Sequence, residues 1–256
     1  MRFSVCIDAL YGDLSPVEGI EKSAAAGAQA IEFWSWWNKD LPAIRDALDK
    51  TGLTLAGFCT RSFNLTDPDL RPEFLEALEQ SLEAAKDTNC RCLITQSGPR
   101  LPDKPREAQV ESLLEGLNAS RPILEKYDTT LLLEPLNTFR DHPDILLTDT
   151  DESFEIIRSV NHPQIRLLFD IYHQQISCGN ILDTVLPNID LIGHFHAASV
   201  PGRHQLTLGE LHYSHIFQAI DTTGYRGYMG LEYWPDIDAS ESLRQCIALA
   251  KPALNG

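Results

Sequence analysis

The sequence predicts a single (β/α)8 barrel, the TIM-barrel fold, as one domain spanning residues 1–256. Short apolar runs with strand character alternate with helix-like segments eight times, which is the number of units that this fold requires in about 250 residues. Four of the runs also end in a side chain that can bind a metal ion. The 43% hydrophobic content is ample for one core, and no linker interrupts the pattern.

A doubly wound parallel sheet would also alternate strands with helices. Sheets of that kind that bind nucleotides carry a Gly-rich phosphate loop after the first strand. No such loop follows the first strand-like run here. The closed barrel is therefore the favoured architecture.

The first two helix-like segments carry clear start and stop signals. Ser15 is a suitable N-cap, with Pro16 at the first helical position and Glu18 at the third. Gly27 follows the first segment and Gly52 follows the second, where helices commonly end in a left-handed residue. These signals fix two helices before any tertiary argument is needed.

The remaining elements follow from apolar spacing. The segment 72–88 places a set of apolar side chains on one helical face, namely Phe74, Leu75, Leu78, Leu82 and Ala85. In chain order we predict strands at 3–8, 30–33, 53–59, 92–96, 130–134, 165–170, 191–196 and 228–232. The predicted helices are 16–26, 41–51, 72–88, 106–126, 152–160, 181–186, 214–222 and 240–253.

The last four strands predict a metal site. Each ends in a side chain with an oxygen or nitrogen that can bind a metal ion: Glu134, Asp170, His196 and Glu232. Successive members of this set are 26 to 36 residues apart. About 30 residues form one strand and its crossover helix, so these side chains return to the same end of a parallel barrel. Three carboxylates and one imidazole suit one divalent ion such as Mn²⁺, Mg²⁺ or Co²⁺. Because side chains alternate along a strand, His194 and Gly230 should also face the barrel interior.

Charge and composition limit the partners. The formal charge is −16 and the sequence pI about 4.8, which disfavours nucleic acid and anionic membranes. We expect a small-molecule substrate, and an anionic one would need a local positive charge. No signal peptide or long apolar span is recognisable, and six scattered cysteines fit buried thiols in a reducing compartment, so we expect a cytoplasmic protein. Self-association into a homo-oligomer is left open.

The second half of the chain contains four further motifs: Glu134-Pro135-Leu136-Asn137, Asp170-Ile171-Tyr172-His173, Val200-Pro201-Gly202-Arg203-His204 and Leu231-Glu232-Tyr233. With these motifs the chain resembles the hydroxypyruvate isomerase family, which belongs to the xylose isomerase-like TIM barrels alongside the ketose 3-epimerases. The strand order extends this resemblance over essentially the whole chain. The resemblance implies one metal ion held by the four strand-end residues, with Glu134 and Glu232 as the acid–base pair. It also implies that His173 and Arg203 contact the substrate.

Two departures from this family leave the substrate open. His196 stands where the hydroxypyruvate isomerases often carry Gln and the 3-epimerases carry His. Gln205-Leu206 replaces the Glu-Pro pair that usually continues the Pro-Gly-Arg-His motif. The leading interpretation is a metal-dependent isomerase that acts on a small hydroxy-keto acid or sugar, most like conversion of hydroxypyruvate to tartronate semialdehyde. The alternative is a ketose 3-epimerase.

The chemistry of the four residues fits either reaction. A metal that chelates a carbonyl and the adjacent hydroxyl stabilises an enediolate, and a neighbouring carboxylate removes the proton. Returning the proton to the adjacent carbon isomerises the substrate, and returning it to the opposite face epimerises it. A nuclease similar to endonuclease IV would need more histidine ligands and a basic face, yet 21 basic residues stand against 37 acidic ones. A non-catalytic sugar-binding protein would not need both glutamates.

Several other polar and aromatic residues are weaker candidates. The second strand is followed by three tryptophans that either line the site or pack against a loop: Trp34, Trp36 and Trp37. Arg61 follows the third strand and could bind a carboxylate at the rim of the barrel. His194 is interpreted as an interior residue rather than a ligand. Asp8 is left out of the site. The histidines outside any ligand spacing are interpreted as ordinary polar residues: His204, His212 and His215.

Overall fold

The computed structural model describes residues 1–250 and confirms the predicted fold class. Eight parallel strands are hydrogen-bonded in chain order, and the first pairs with the last to close the barrel. The strands are β1 Arg2–Cys6, β2 Ala30–Phe33, β3 Thr54–Cys59, β4 Cys92–Gln96, β5 Thr130–Glu134, β6 Ile165–Asp170, β7 Ile192–Ala197 and β8 Tyr228–Leu231.

The helices lie around this barrel. In chain order they are α1 Ile7–Leu10, α2 Pro16–Ala26, α3 Leu41–Thr51, α4 Arg71–Asp87, α5 Arg106–Tyr127, α6 Thr150–Val160, α7 Ile171–Ser177, α8 Ile181–Val185, α9 Tyr213–Thr222 and α10 Ala239–Ala248. Two short 3₁₀ segments, Pro68–Leu70 and Leu186–Leu191, join elements. No helix among residues 1–250 has both the length and the hydropathy to cross a membrane.

The predicted helix signals act as expected. Ser15 and Glu18 form a reciprocal capping box at the start of α2. Gly27 and Gly52 end α2 and α3 with φ of 98° and 73°, in the left-handed region that glycine enters without steric cost. The sequence therefore predicts the C-terminal ends of α2 and α3 correctly.

The strands divide the core into two parts. Leu131 and Leu133 belong to the large core between strands and helices, whereas Leu132 belongs to a separate small cluster. Neighbouring strand residues point to opposite faces, so the small cluster fills the barrel interior. Its buried members come from four successive strands: Cys59, Ile94, Leu132 and Leu168. Above this apolar cluster, polar side chains occupy the C-terminal end of the barrel.

Three sequence-based expectations need correction. The sequence predicts Asp8 at the end of the first strand, but the strand stops at Cys6 and Asp8 lies in α1. The sequence does not predict helix α7, which begins directly after β6. The Asp170 carboxylate accepts a 2.8 Å hydrogen bond from the backbone N–H of Tyr172 and so caps this helix. The last helix ends at Ala248 rather than running to 253, and residues 251–253 lie outside the described part of the chain.

Candidate metal centre

The structure brings the four predicted ligands together at the C-terminal end of the barrel. Glu134 and Asp170 end β5 and β6, His196 lies in β7, and Glu232 follows β8. One ligand atom from each residue lies within 4.8 Å of every other. All four side chains are buried, with between 1% and 5% of each residue exposed. Buried charges at this density require a common partner or mutual neutralisation.

His196 is oriented as a ligand of a cation. Its Nδ1 lies 3.6 Å from Glu134 Oε1 and 3.3 Å from Glu232 Oε2. Within the described residues this buried nitrogen makes no hydrogen bond of acceptable geometry. An unpaired ring nitrogen facing three carboxylates is a donor set that fits one divalent ion.

Arg203 lies against the carboxylates of this group. Its Nη2 donates a hydrogen bond to Glu232 Oε2 and lies 3.5 Å from Asp170 Oδ2. The guanidinium is also 4.9 Å from the ring centroid of Tyr172 and 5.4 Å from that of Trp234. The residue is 9% exposed and its backbone has a φ of 57°, so the loop holds the side chain over the site at some conformational cost. Arg203 thus contacts two proposed metal ligands, a contact that the sequence did not indicate.

The charges of the four groups are unequal. Burial raises the pKa of Asp170 to about 7, although Arg203 and His196 act to lower it. Burial acts in the same direction on Glu232, but Arg203 and His196 outweigh it and hold the pKa of Glu232 well below its usual range. Glu232 is therefore ionised at neutral pH, and a bound cation would help to keep Asp170 ionised as well.

His173 is a neutral donor at the edge of the group. It is 1% exposed, and burial, aided by Arg203, lowers its pKa well below the ordinary value. Its Nδ1 lies 2.7 Å from Asn137 Nδ2. The amide nitrogen of Asn137 is a donor, so His173 Nδ1 accepts this hydrogen bond and the ring proton is assigned to Nε2. Nε2 is 3.5 Å from Asp170 Oδ2. His173 can therefore donate a hydrogen bond at the site.

A cavity of about 420 Å³ opens above these residues. Trp34, Trp37 and Trp234 form part of its wall, and Trp34 Nε1 donates a 2.5 Å hydrogen bond to Glu232 Oε1. Trp36 is directed elsewhere and donates to Ser81 Oγ at 3.2 Å. The other lining side chains are Ser35, Cys59, Phe63, Ile94, Gln96, Glu134, Leu136, His142, His173, His196, Arg203 and Glu232.

The remaining sequence candidates lie outside the centre. Arg61 is exposed and its guanidinium donates to Gln80. Asp8 forms a 2.9 Å ion pair with Lys39. The three histidines interpreted as ordinary polar residues also lie outside it. His204 Nδ1 contacts the backbone oxygen of Trp234 and the carboxylate of Asp236. His212 caps the start of α9, and His215 lies in the first turn of that helix.

Among the residues that the sequence did not indicate are Trp234 in the cavity wall, Glu32 and His142. Glu32 in β2 is 2% exposed and lies between His194 and His196; burial alone would raise its pKa, but the two histidines outweigh this and lower it to about 2. The available signal was an acid inside the apolar run 30–33. His142 enters the cavity from the loop after β5, with its ring centroid 5.4 Å from that of His173, and no sequence pattern marked it.

Comparison with known proteins gives consistent matches over most of the chain. The family model described as xylose isomerase-like TIM barrel matches residues 20–250. A 2-oxo-tetronate isomerase from Cupriavidus necator is 29% identical, covering 94% of this chain and 96% of its own length. A hydroxypyruvate isomerase from Escherichia coli K12 is 27% identical, covering 95% and 97% respectively. The crystal structure of an AP endonuclease, family 2, from Brucella melitensis aligns with a TM-score of 0.89 at 27% identity, covering 94% of this chain and 96% of that chain.

Proposed function

The chain belongs to the xylose isomerase-like TIM barrel family as an enzyme of the isomerase type, and we propose that it is a metal-dependent isomerase of small hydroxy-keto acids. The reaction would interconvert such an acid and its aldehyde isomer, as in hydroxypyruvate and tartronate semialdehyde. The observation that carries this proposal is the close grouping of Glu134, Asp170, His196 and Glu232, of which all but Asp170 line one cavity. We further propose that the one barrel is the whole catalytic unit.

The residues that would hold the ion are the three carboxylates and His196 Nδ1. A bound divalent ion such as Mn²⁺, Mg²⁺ or Co²⁺ supplies Lewis-acid stabilisation of the charge that develops on two adjacent substrate oxygens. Glu134 and Glu232 both line the cavity, with carboxylate oxygens 3.6 Å and 3.3 Å from His196 Nδ1. That position suits them to remove a proton from one carbon and to return it to the next.

The two glutamates are held differently. The Glu232 carboxylate accepts hydrogen bonds from Trp34 Nε1 and from Arg203, which fix its orientation and favour its ionised form. Glu232 is therefore held ionised and in one orientation at the wall of the cavity. His173, through its Nε2 proton, is suited to bind a substrate oxygen. The tryptophan walls would limit access of water to the reactive intermediate.

A ketose 3-epimerase remains the second candidate function. The observation that favours it is His196 itself, together with a cavity of about 420 Å³ that exceeds the needs of a three-carbon acid. Under the proposal the substrate is a small molecule and not a nucleic acid. One similar structure is named an endonuclease, but a formal charge of −16 on this chain opposes binding of a phosphate backbone. The cytoplasmic location expected from the sequence stays a prediction.

A panel of substrates tests this function. The Mn²⁺-loaded protein would be incubated with hydroxypyruvate, with a 2-oxo-tetronate and with D-fructose, and the products identified by chromatography. The proposal expects conversion of hydroxypyruvate to its aldehyde isomer, or of the 2-oxo-tetronate to its 3-oxo isomer. Epimerisation of the ketose without turnover of either acid would replace it by the second candidate.

Arg203 is expected to distinguish acid from neutral substrates. The Arg203→Ala variant loses a hydrogen bond to Glu232, so turnover of every substrate should fall. An acid should lose a further factor of about ten to a hundred in kcat/KM, because a charge-assisted hydrogen bond contributes about 1.5–3 kcal/mol. Steady-state kinetics on hydroxypyruvate and on the ketose give the two losses separately.

The Arg61→Ala variant is the matched control, since Arg61 is exposed and does not line the cavity. Its kinetics should equal those of the wild type. Equal losses on both substrates in Arg203→Ala would mean that Arg203 only orders Glu232. An unchanged kcat/KM on both would remove Arg203 from the site.

A further inference from the structure

A buried carboxylate lies beneath the four proposed ligands, inside the barrel. Glu32 Oε2 is 2.9 Å from His194 Nε2 and 3.1 Å from His196 Nε2. Ser4 Oγ donates to the other oxygen, Oε1, at 3.1 Å. Glu32 does not line the cavity, so direct contact with substrate does not explain it.

The two nitrogens of His196 face different groups. Nε2 meets Glu32, whereas Nδ1 faces Glu134 and Glu232 at the proposed metal centre. A neutral imidazole carries one proton, and the nitrogen that has a hydrogen-bond acceptor keeps it. An ionised carboxylate is an acceptor only, so beside Glu32 the proton belongs on Nε2. The Nδ1 lone pair is then free to bind an ion.

We propose that Glu32 is a positioning residue that fixes the ring and the tautomer of His196 for metal binding. The inference depends on the proposed metal centre and adds to it a residue that acts through its ligand. Histidines that bind metal ions usually donate their second ring N–H to a carboxylate or carbonyl, and such partners tune the affinity. Glu32 provides this contact from β2, on the far side of the ring from the cavity.

The surrounding strands are built to accommodate this contact. The rings of His194 and His196 meet edge to face at 84°, with centroids 5.2 Å apart, so both Nε2 atoms reach the same carboxylate oxygen. Gly230 in β8 leaves the space for them: a Cβ there would overlap Glu32 Oε1 and His196 Cδ2. With Ser4 in β1, four strands therefore combine to hold one carboxylate against His196.

The same three side chains could instead bind a second ion, since Glu32, His194 and His196 also form a compact ligand group. That arrangement would require His196 to bind ions through both ring nitrogens, with no proton left on the imidazole. The proposal expects one Mn²⁺ per chain. A titration that ends at two would overturn it.

The Glu32→Gln variant tests the role with little change of shape. The amide carries no charge, so its oxygen is a weaker acceptor for the two Nε2–H groups than the ionised carboxylate of Glu32 and holds the proton on His196 Nε2 less firmly. Mn²⁺ affinity should fall about ten- to a hundredfold, the usual effect of changing the partner of a metal-binding histidine. The free-ion signal in electron paramagnetic resonance gives both affinity and stoichiometry, and thermal unfolding monitors the fold.

His194→Gln is the matched control, because it alters the same network but leaves the contact between Glu32 and His196. Its Mn²⁺ affinity should fall much less. Equal losses in the two variants would show that the network only packs the barrel, and an unchanged affinity in Glu32→Gln would also overturn the proposal. A wild-type protein that binds no Mn²⁺ would instead defeat the metal centre itself.

A measurement on the wild-type chain covers the case in which Glu32→Gln does not fold. Nitrogen-15 NMR of the Mg²⁺-loaded protein, labelled at histidine, reports which ring nitrogen carries the proton. The proposal expects the His196 proton on Nε2. A proton on Nδ1 would overturn it.

Discussion

The Glu134→Gln variant is expected to lower turnover by at least about a hundredfold, the lower range for loss of general acid–base catalysis. The amide keeps the shape of the side chain and an oxygen that can face a cation, but it cannot take a proton from carbon. Glu134 is the better of the two glutamates to test, because Glu232 also binds Trp34 and Arg203. Glu232→Gln should give a loss of the same order with added disturbance of those contacts.

Metal content must be measured in the same samples, because loss of the ion would also lower turnover. The informative result is a Glu134→Gln protein that retains Mn²⁺ and still turns over at least about a hundredfold more slowly. Near-normal turnover with metal bound would mean that the proton passes through another group.

Asp170→Asn is expected to remove both Mn²⁺ and activity. Asp170 is 1% exposed and, unlike the two glutamates, does not line the cavity, so its proposed part is to hold the ion rather than to move a proton. Loss of a direct ligand should exceed the roughly ten- to hundredfold effect of changing an outer partner. An asparagine oxygen can still accept from the backbone of Tyr172, so the cap of α7 is retained.

The measurement is Mn²⁺ retained after gel filtration, together with turnover at saturating Mn²⁺. High concentrations of the ion should restore part of the activity if the variant only weakens binding. An Asp170→Asn protein that retains no metal yet turns over normally would contradict the metal dependence of the reaction.

Local sequence patterns predicted the barrel and the grouping of the four residues that we propose as metal ligands. Strand runs with period-two alternation and helices with caps are local features, and the closed parallel order then places every strand end on one side. The sequence therefore predicts that one group contains Glu134, Asp170, His196 and Glu232.

Contacts across the barrel were not predictable in this way. Arg203 contacts Asp170 and Glu232 from a loop in which its own backbone has a positive φ, and no local sequence pattern indicates such a conformation. Glu32 meets His194 and His196 from a strand more than 160 residues earlier in the chain. Helix α7 was missed because Asp170 both ends β6 and caps the following helix.

Exchange of carbon-bound hydrogen with solvent tests the central claim most directly. The Mn²⁺-loaded protein would be incubated with hydroxypyruvate in D₂O, and deuterium in the recovered acid and in its aldehyde product measured by mass spectrometry. We predict incorporation that stops after chelation and returns when Mn²⁺ is added back. Exchange at the same rate in the chelated protein, or no exchange by the Mn²⁺-loaded protein into hydroxypyruvate, a 2-oxo-tetronate or D-fructose, would contradict it.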